Sequence, residues 1–167
     1  GSYIFIAWSN AATSGAMFTA LAQQKAYATA RPITGLAGVG SYDIYGSLFE
    51  GANAILTNSY FPGVVKGKAA TAIAADYAKA GKTQDLFTST GVNAAQMIIA
   101  AVKGNPNLDV EKMITTLESL SFVGLTGLTK VNKANHTLIQ SMFLTKLTKV
   151  NGRYVPSLVS TLYNVKV

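Results

Sequence analysis

The seven carboxylates are Asp43, Glu50, Asp76, Asp85, Asp109, Glu111 and Glu118. General acid/base work needs two such groups held in one cleft, and no pair here falls in a motif that would bring two together. Most sit where helix ends or helix surfaces are expected, so capping and solvation account for them. The single histidine, His136, lies in the polar stretch KANHTLIQ, which reads as a turn leading into a strand. One imidazole cannot build a metal site, and without a nucleophile beside it His136 is a poor catalytic base; it is expected to serve the turn or its packing. Cysteine is absent, which removes disulfides, a thiolate nucleophile and cysteine metal sites. The glycines between Gly35 and Gly40 follow a strand, but they match neither GxGxxG nor GK[ST], so close backbone approach to a small ligand, or plain loop flexibility, fits better than a phosphate loop. With so little catalytic equipment, the chain is expected to bind a molecule and not to transform it, and no cofactor is expected.

The residues best suited to binding lie in the stretch Tyr3 to Thr13, YIFIAWSNAAT. Its first part is an unbroken run of β-branched and aromatic residues, the pattern of a strand buried on both faces of a parallel sheet. It ends at Trp8, and the short residues Ser9, Asn10 and Ala11 lead to Thr13 or Ser14, either of which can cap a helix through Met17, Leu21 and Gln24. A strand that feeds a polar loop at a helix N-terminus presents its groups at the carboxyl edge of a sheet, where open α/β folds hold ligands. Trp8 is either a core residue at a strand end or an apolar pocket wall whose polar partners are Ser9 and Asn10. Tyr60 and Phe61 pose the same choice.

The elements that position these loops follow in order. A second strand starts at Arg31-Pro32 and runs through ITGLAG; Tyr42, Tyr45 and Phe49 mark a short helix over 41–49; a third strand, Ala52 to Ser59, breaks at Tyr60-Phe61-Pro62-Gly63. That alternation is the rhythm of βαβ units with right-handed crossovers. Helices are then predicted over Val65–Lys79, closed by Gly81, over Thr90–Val102 with a small-residue face, and from a cap at Asp109 through Leu120. The chain next turns antiparallel, with Phe122 to Val131 interrupted by glycine and threonine, an alternating strand over Gln140–Val150, and a type I′ turn at Asn151-Gly152 into a last strand from Arg153.

With 167 residues and 49% hydrophobic content, the chain can bury the core of an ordinary globular domain, and no run reaches the roughly 18 apolar residues of a membrane span. The net charge of +7 would suit nucleic acid, but its basic residues are scattered. The close pairs Lys66/Lys68 and Lys146/Lys149 lack interleaved aromatics, so a solvated basic surface is expected and nucleic acid is not an expected partner. No signal peptide opens the chain, and the buried-type strand begins without a lead-in, so the sequence is expected to start inside a larger protein.

Several stretches together resemble one family. YIFIAWSNAATSGAMFTALAQQ, ITGLAG and EGANAILTNSYFPG, followed by DLFTSTGVNAAQMIIAAVK, DVEKMITTLESLSFVGLTG with an F-x-G-x-T-G turn, and NHTLIQSMFLTKL with an H-x-x-x-Q-x-M-aromatic strand, resemble the second half of type I periplasmic binding proteins of the leucine/isoleucine/valine-binding group. The resemblance covers nearly the whole chain. It implies an α/β fold made of parts of two Rossmann-like lobes with a C-terminal β-hairpin: residues 1–60 as the remainder of the second lobe, 61–120 as helices returning to the first, and 121–167 as a hinge-crossing strand and hairpin. The family's first half is missing, and that N-terminal half is an expected partner.

The resemblance also implies a solute receptor that closes on a small molecule and delivers it to the membrane permease of an ABC importer. Its place would be periplasmic or extracellular, with any targeting signal or lipid anchor in the absent segment. Carried over residue by residue, Trp8, Ser9, Asn10 and Ala11 match one ligand loop and Leu36, Ala37 and Gly38 another, with Tyr60 and Phe61 at the end of the third strand. Amino-acid binders commonly place a carboxylate in the second loop against the ligand's ammonium; here Ala37 or a neighbour stands there. An ammonium buried without a counter-charge costs about several kcal/mol, so the ligand need not be an α-amino acid, although Asp43 could reach the site instead. A ligand-sensing module on the same fold, or an α/β enzyme, are the alternative functions.

Overall fold

The computed structural model describes residues 1–7, 11–35 and 39–166. They divide into two compact units. The first comprises Gly1–Asn58 with Phe143–Ser160, and the second Ser59–Met142 with Thr161–Val167.

The first unit is built on three parallel strands, β1 (Ser2–Ile6), β2 (Ala30–Thr34) and β3 (Ile55–Asn58), in register through Ile4↔Pro32 and Ile33↔Ile55. Between them run the helices α1 (Ala11–Gln23), α2 (Ala26–Thr29) and α3 (Val39–Tyr45), the last continued by a 3-10 turn over Gly46–Phe49. The core is aromatic. Phe18, 2% exposed, meets Tyr45 and Phe49 edge-on at ring distances of 5.4 and 5.1 Å, and Tyr42, Leu56 and Ile6 complete the cluster. The i, i+3, i+7 spacing of Tyr42, Tyr45 and Phe49 turns these rings to one side, as the sequence pattern predicts.

Two expectations are corrected here. β1 is not buried on both faces: it pairs only with β2 among the described strands, and Tyr3 and Phe5 are 62% and 70% exposed. Its apolar run reflects β-propensity on an edge strand and not a doubly covered one. Helix α1 begins at Ala11, so Thr13 and Ser14 lie inside its first turn instead of capping it.

In the second unit, α4 (Lys68–Lys79) starts later than Val65 because Pro62, Gly63 and Gly67 keep the intervening chain in turns. Helix α5 (Leu86–Val102) starts earlier than Thr90. Asp85 accepts from the backbone N–H groups of Phe87 and Thr88, while the Thr88 hydroxyl accepts from the Asp85 N–H at 2.9 Å, a reciprocal capping box. Helix α6 (Val110–Glu118) is capped by Asp109, which accepts from the Lys112 N–H at 3.0 Å. The hairpin β4 (Ser121–Gly124) and β5 (Gly127–Val131) follows, and β5 pairs with the first residues of β6 (Leu138–Val150).

Strand β6 and its partner β7 (Arg153–Val165) each run from one unit into the other, and β6 ends antiparallel to β3 through Asn58↔Phe143 and Leu56↔Thr145. Asn151 and Gly152, at φ 49° and 80°, both take the left-handed conformations that a type I′ turn requires.

The F-x-G-x-T-G turn has a packing explanation. A Cβ on Gly124 would overlap the carboxamide of Asn93 on α5, so only glycine fits. That carboxamide accepts from the Leu125 N–H at 3.3 Å and donates to the Thr126 hydroxyl at 3.3 Å; Thr126 in turn bonds Thr129 at 3.0 Å and Gln140 at 3.2 Å. Asn93, Thr126 and Thr129 are 3%, 1% and 0% exposed, so a satisfied polar network joins the hairpin to α5 beside the buried Leu125.

Candidate functional site

Because β1, β2 and β3 are parallel, their carboxyl ends share one edge, and the segments that leave it begin at Ala7, Gly35 and Ser59. Trp8, Ser9 and Asn10, with Leu36, Ala37 and Gly38, lie outside the described residues. The backbone that flanks these two segments is described on both sides. β1 ends at Ile6 and α1 starts at Ala11; β2 ends at Thr34 and α3 starts at Val39, each a strand end followed within a few residues by a helix N-terminus. Ala11 is thus the first helical residue beyond the first loop.

Tyr60 and Phe61 follow the third strand and are 2% and 8% exposed, packed inward at the start of the second unit. Burial raises the Tyr60 phenol above its ordinary range, with a smaller contribution from Tyr77.

Polar groups mark the same ends of the strands. The Thr34 hydroxyl donates to the Ile6 carbonyl at 2.9 Å and ties β2 to β1. Asn58, 1% exposed, donates to the Thr145 hydroxyl at 2.8 Å, and its Oδ1 has no partner among the described residues. A buried unpaired carbonyl oxygen is uncommon enough to mark a position. Nothing in the local sequence distinguishes Asn58 from a strand residue that simply faces the core; its role emerges only from its pairing with β6.

Asp43 is already committed. Its carboxylate takes a 2.6 Å hydrogen bond from Arg153 at the start of β7, and that bond holds its pKa below the usual carboxylate range. The partners are 110 residues apart, so no local pattern reveals them. His136 sits in a turn at φ 57°, 3.1 Å from Glu118, which also pairs with Lys133 at 3.0 Å. No group of three or more metal-ligating side chains is found among the described residues.

Three parallel strands alternate with helices in the first unit, and β6 and β7 run on into the second. A periplasmic binding protein family model matches residues 5–152, and the chain belongs to that family. The fold agrees with solved structures of type I members. One is an ABC-type branched-chain amino acid transporter protein from Rhodopseudomonas palustris, with TM-score 0.77 and 19% identity, over 97% of this chain and 43% of that one. Another is a solute-binding protein from R. palustris in complex with p-hydroxybenzoic acid, with TM-score 0.79 and 14% identity, over 98% and 45%. A third is the leucine-, isoleucine-, valine-, threonine- and alanine-binding protein from Brucella ovis, with TM-score 0.77 and 20% identity, over 99% and 45%. The chain therefore spans less than half the length of these relatives. A comparison with curated proteins returns no match.

Proposed function

We propose that this chain is part of an extracytoplasmic solute receptor of an ABC importer, and that the carboxyl-edge loops of the first unit form one wall of its ligand site. The observation that carries this reading is the family match over residues 5–152 on a unit whose three parallel strands all end at one edge. Trp8 supplies an apolar wall, Ser9, Asn10 and Ala11 supply polar and backbone contacts, and Leu36, Ala37 and Gly38 allow close approach of the second loop. Tyr60 and Phe61 shape the exit from the third strand.

The ligand class follows from charge. The second loop has no carboxylate, and Asp43, the nearest candidate in sequence, is neutralised by Arg153. A buried ammonium would therefore lack a partner, whereas an aromatic or aliphatic carboxylate would not need one. A small organic acid fits better than an α-amino acid. Calorimetric titration of the full-length protein with 4-hydroxybenzoate and with L-leucine tests this. Binding of the acid with little response to leucine is expected; tight leucine binding refutes the ligand assignment, and binding of neither refutes the receptor reading for both classes.

The rest of the receptor is proposed to cover the second unit. Between α5 and α6 lies a groove of about 480 Å³ lined by apolar side chains, among them Met97, Ile98, Ala101, Val110, Met113 and Leu117. Ile98 and Val110 are 64% and 59% exposed. An open apolar face of that extent calls for a partner, and the lobe segments of the solved relatives that this chain does not span are the proposed occupant. The proposed periplasmic or extracellular location and docking to a permease rest on the family. No described helix is long and apolar enough to cross a membrane.

A further inference from the structure

We propose that the first unit carries a second binding site, for a small carboxylate with an apolar body, at the amino-terminal edge of β3. This is the end of the parallel sheet opposite the loops discussed above. A cavity of about 300 Å³ opens there between the turn that precedes β3 and the last third of β6, a size that suits a small organic molecule. Strand register places it: Leu56 faces Thr145, so β6 beyond Thr145 runs back past the start of β3 and brings Lys146 and Lys149 alongside Asn53 and Ala54.

The lining has two chemistries. Phe49, Leu147 and the ring of Tyr154 form an apolar floor. Tyr154 is fixed in place because its ring lies against Gly46, where a Cβ would overlap it, and because its hydroxyl donates to Glu50 at 3.0 Å. The rim is cationic. Lys146 makes no ion pair among the described residues, and the Lys149 ammonium sits 5.3 Å from the centre of the Tyr154 ring, a cation–π contact that leaves its charge uncompensated. Arg31 hydrogen-bonds the carbonyl and side chain of Asn53 on the same wall. Two cations, Lys146 and Lys149, thus line the cavity with one carboxylate, Glu50. A carboxylate between the lysines, with its apolar body on Tyr154 and Phe49, satisfies both parts. Inorganic phosphate would satisfy only the rim.

The test is amide chemical-shift mapping of the full-length protein titrated with benzoate, in wild type and in K146Q/K149Q. Both lysines are exposed, so the variant retains the fold, which its unchanged spectrum elsewhere verifies. Saturable shifts at Gly51, Asn53 and Tyr154 are expected, weakened about tenfold in the variant and suppressed by 0.5 M sodium chloride, as a charge-driven contact at the surface requires. Benzoate shifts confined to the carboxyl-edge loops overturn the second site and leave the receptor reading intact. Equal response of wild type and variant also overturns it, and phosphate acting as strongly as benzoate overturns the assignment to a carboxylate with an apolar body.

Discussion

The two units keep their interiors in opposite ways. The first packs Phe18, Tyr42, Phe49 and Leu56 into an aromatic and aliphatic cluster. The second holds its hairpin to α5 through Asn93, Thr126 and Thr129, and leaves an apolar groove open between α5 and α6. An apolar core tolerates rearrangement in proportion to volume, whereas a buried polar network fails when one member is lost. The difference teaches that the first unit carries its own stabilising core, while the second relies on directional contacts and leaves an apolar groove open.

The largest expected effect probes the first core. Phe18→Ala removes a ring that is 2% exposed and touches two other aromatics, and should lower stability by about 3–5 kcal/mol in urea unfolding. A loss of under about 1 kcal/mol would mean that the cluster does not sustain this unit. Next, Gly124→Ala forces a methyl group into the Asn93 carboxamide and should cost about 1–3 kcal/mol. If the network sets the geometry there, shortening the neighbour in Gly124→Ala/Asn93→Ala restores little, because the Leu125 N–H then loses its partner and Thr126 keeps only Thr129 and Gln140. Full rescue by the double variant would reduce the network to simple packing.

The smallest effect is electrostatic and falls on both units alike. Asp43 is held below its ordinary pKa chiefly by the hydrogen bond from Arg153, and Glu118 chiefly by Lys133 and then His136. A carboxylate with a lowered folded pKa contributes stability above its unfolded value near 3.9–4.3, and loses it as pH falls through the folded value. Both pairs are screened by solvent, so Arg153→Gln and Lys133→Gln should each lower the melting temperature only slightly at neutral pH and leave it unchanged in strong acid, which makes the fall toward acid shallower. A loss in strong acid as large as the loss at neutral pH would contradict this sign.

Much of the frame is legible in residue order. Asn151-Gly152 announces its hairpin, Asp109 its helix cap, and the spacing of Tyr42, Tyr45 and Phe49 the inward side of α3 and its 3-10 continuation, because each is decided by neighbours a few residues away. The exposure of Tyr3 and Phe5 is not legible, since an apolar run looks the same on an edge strand as in a covered one. Asp85 with Thr88 is a readable capping signal that moves the start of α5 back to Leu86. The glycine of F-x-G-x-T-G acquires its reason only when Asn93, 31 positions earlier, is placed against it. Of the candidate ligand residues, Trp8, Ser9, Asn10, Leu36, Ala37 and Gly38 are reached only through the strands and helices that flank them. Parallel pairing, which no local pattern determines, is what puts the carboxyl ends of β1 and β2, from which these two segments leave, on one edge.

The ligand loops can be mapped directly. Full-length protein labelled for amide spectra and titrated with 4-hydroxybenzoate should show its strongest shifts within this chain at residues 7–11 and 35–39, with Trp8→Ala weakening affinity by more than about 1 kcal/mol. Strongest shifts along α5 and α6, or a Trp8→Ala variant that binds as wild type while losing stability, would contradict the assignment of these loops as the ligand wall.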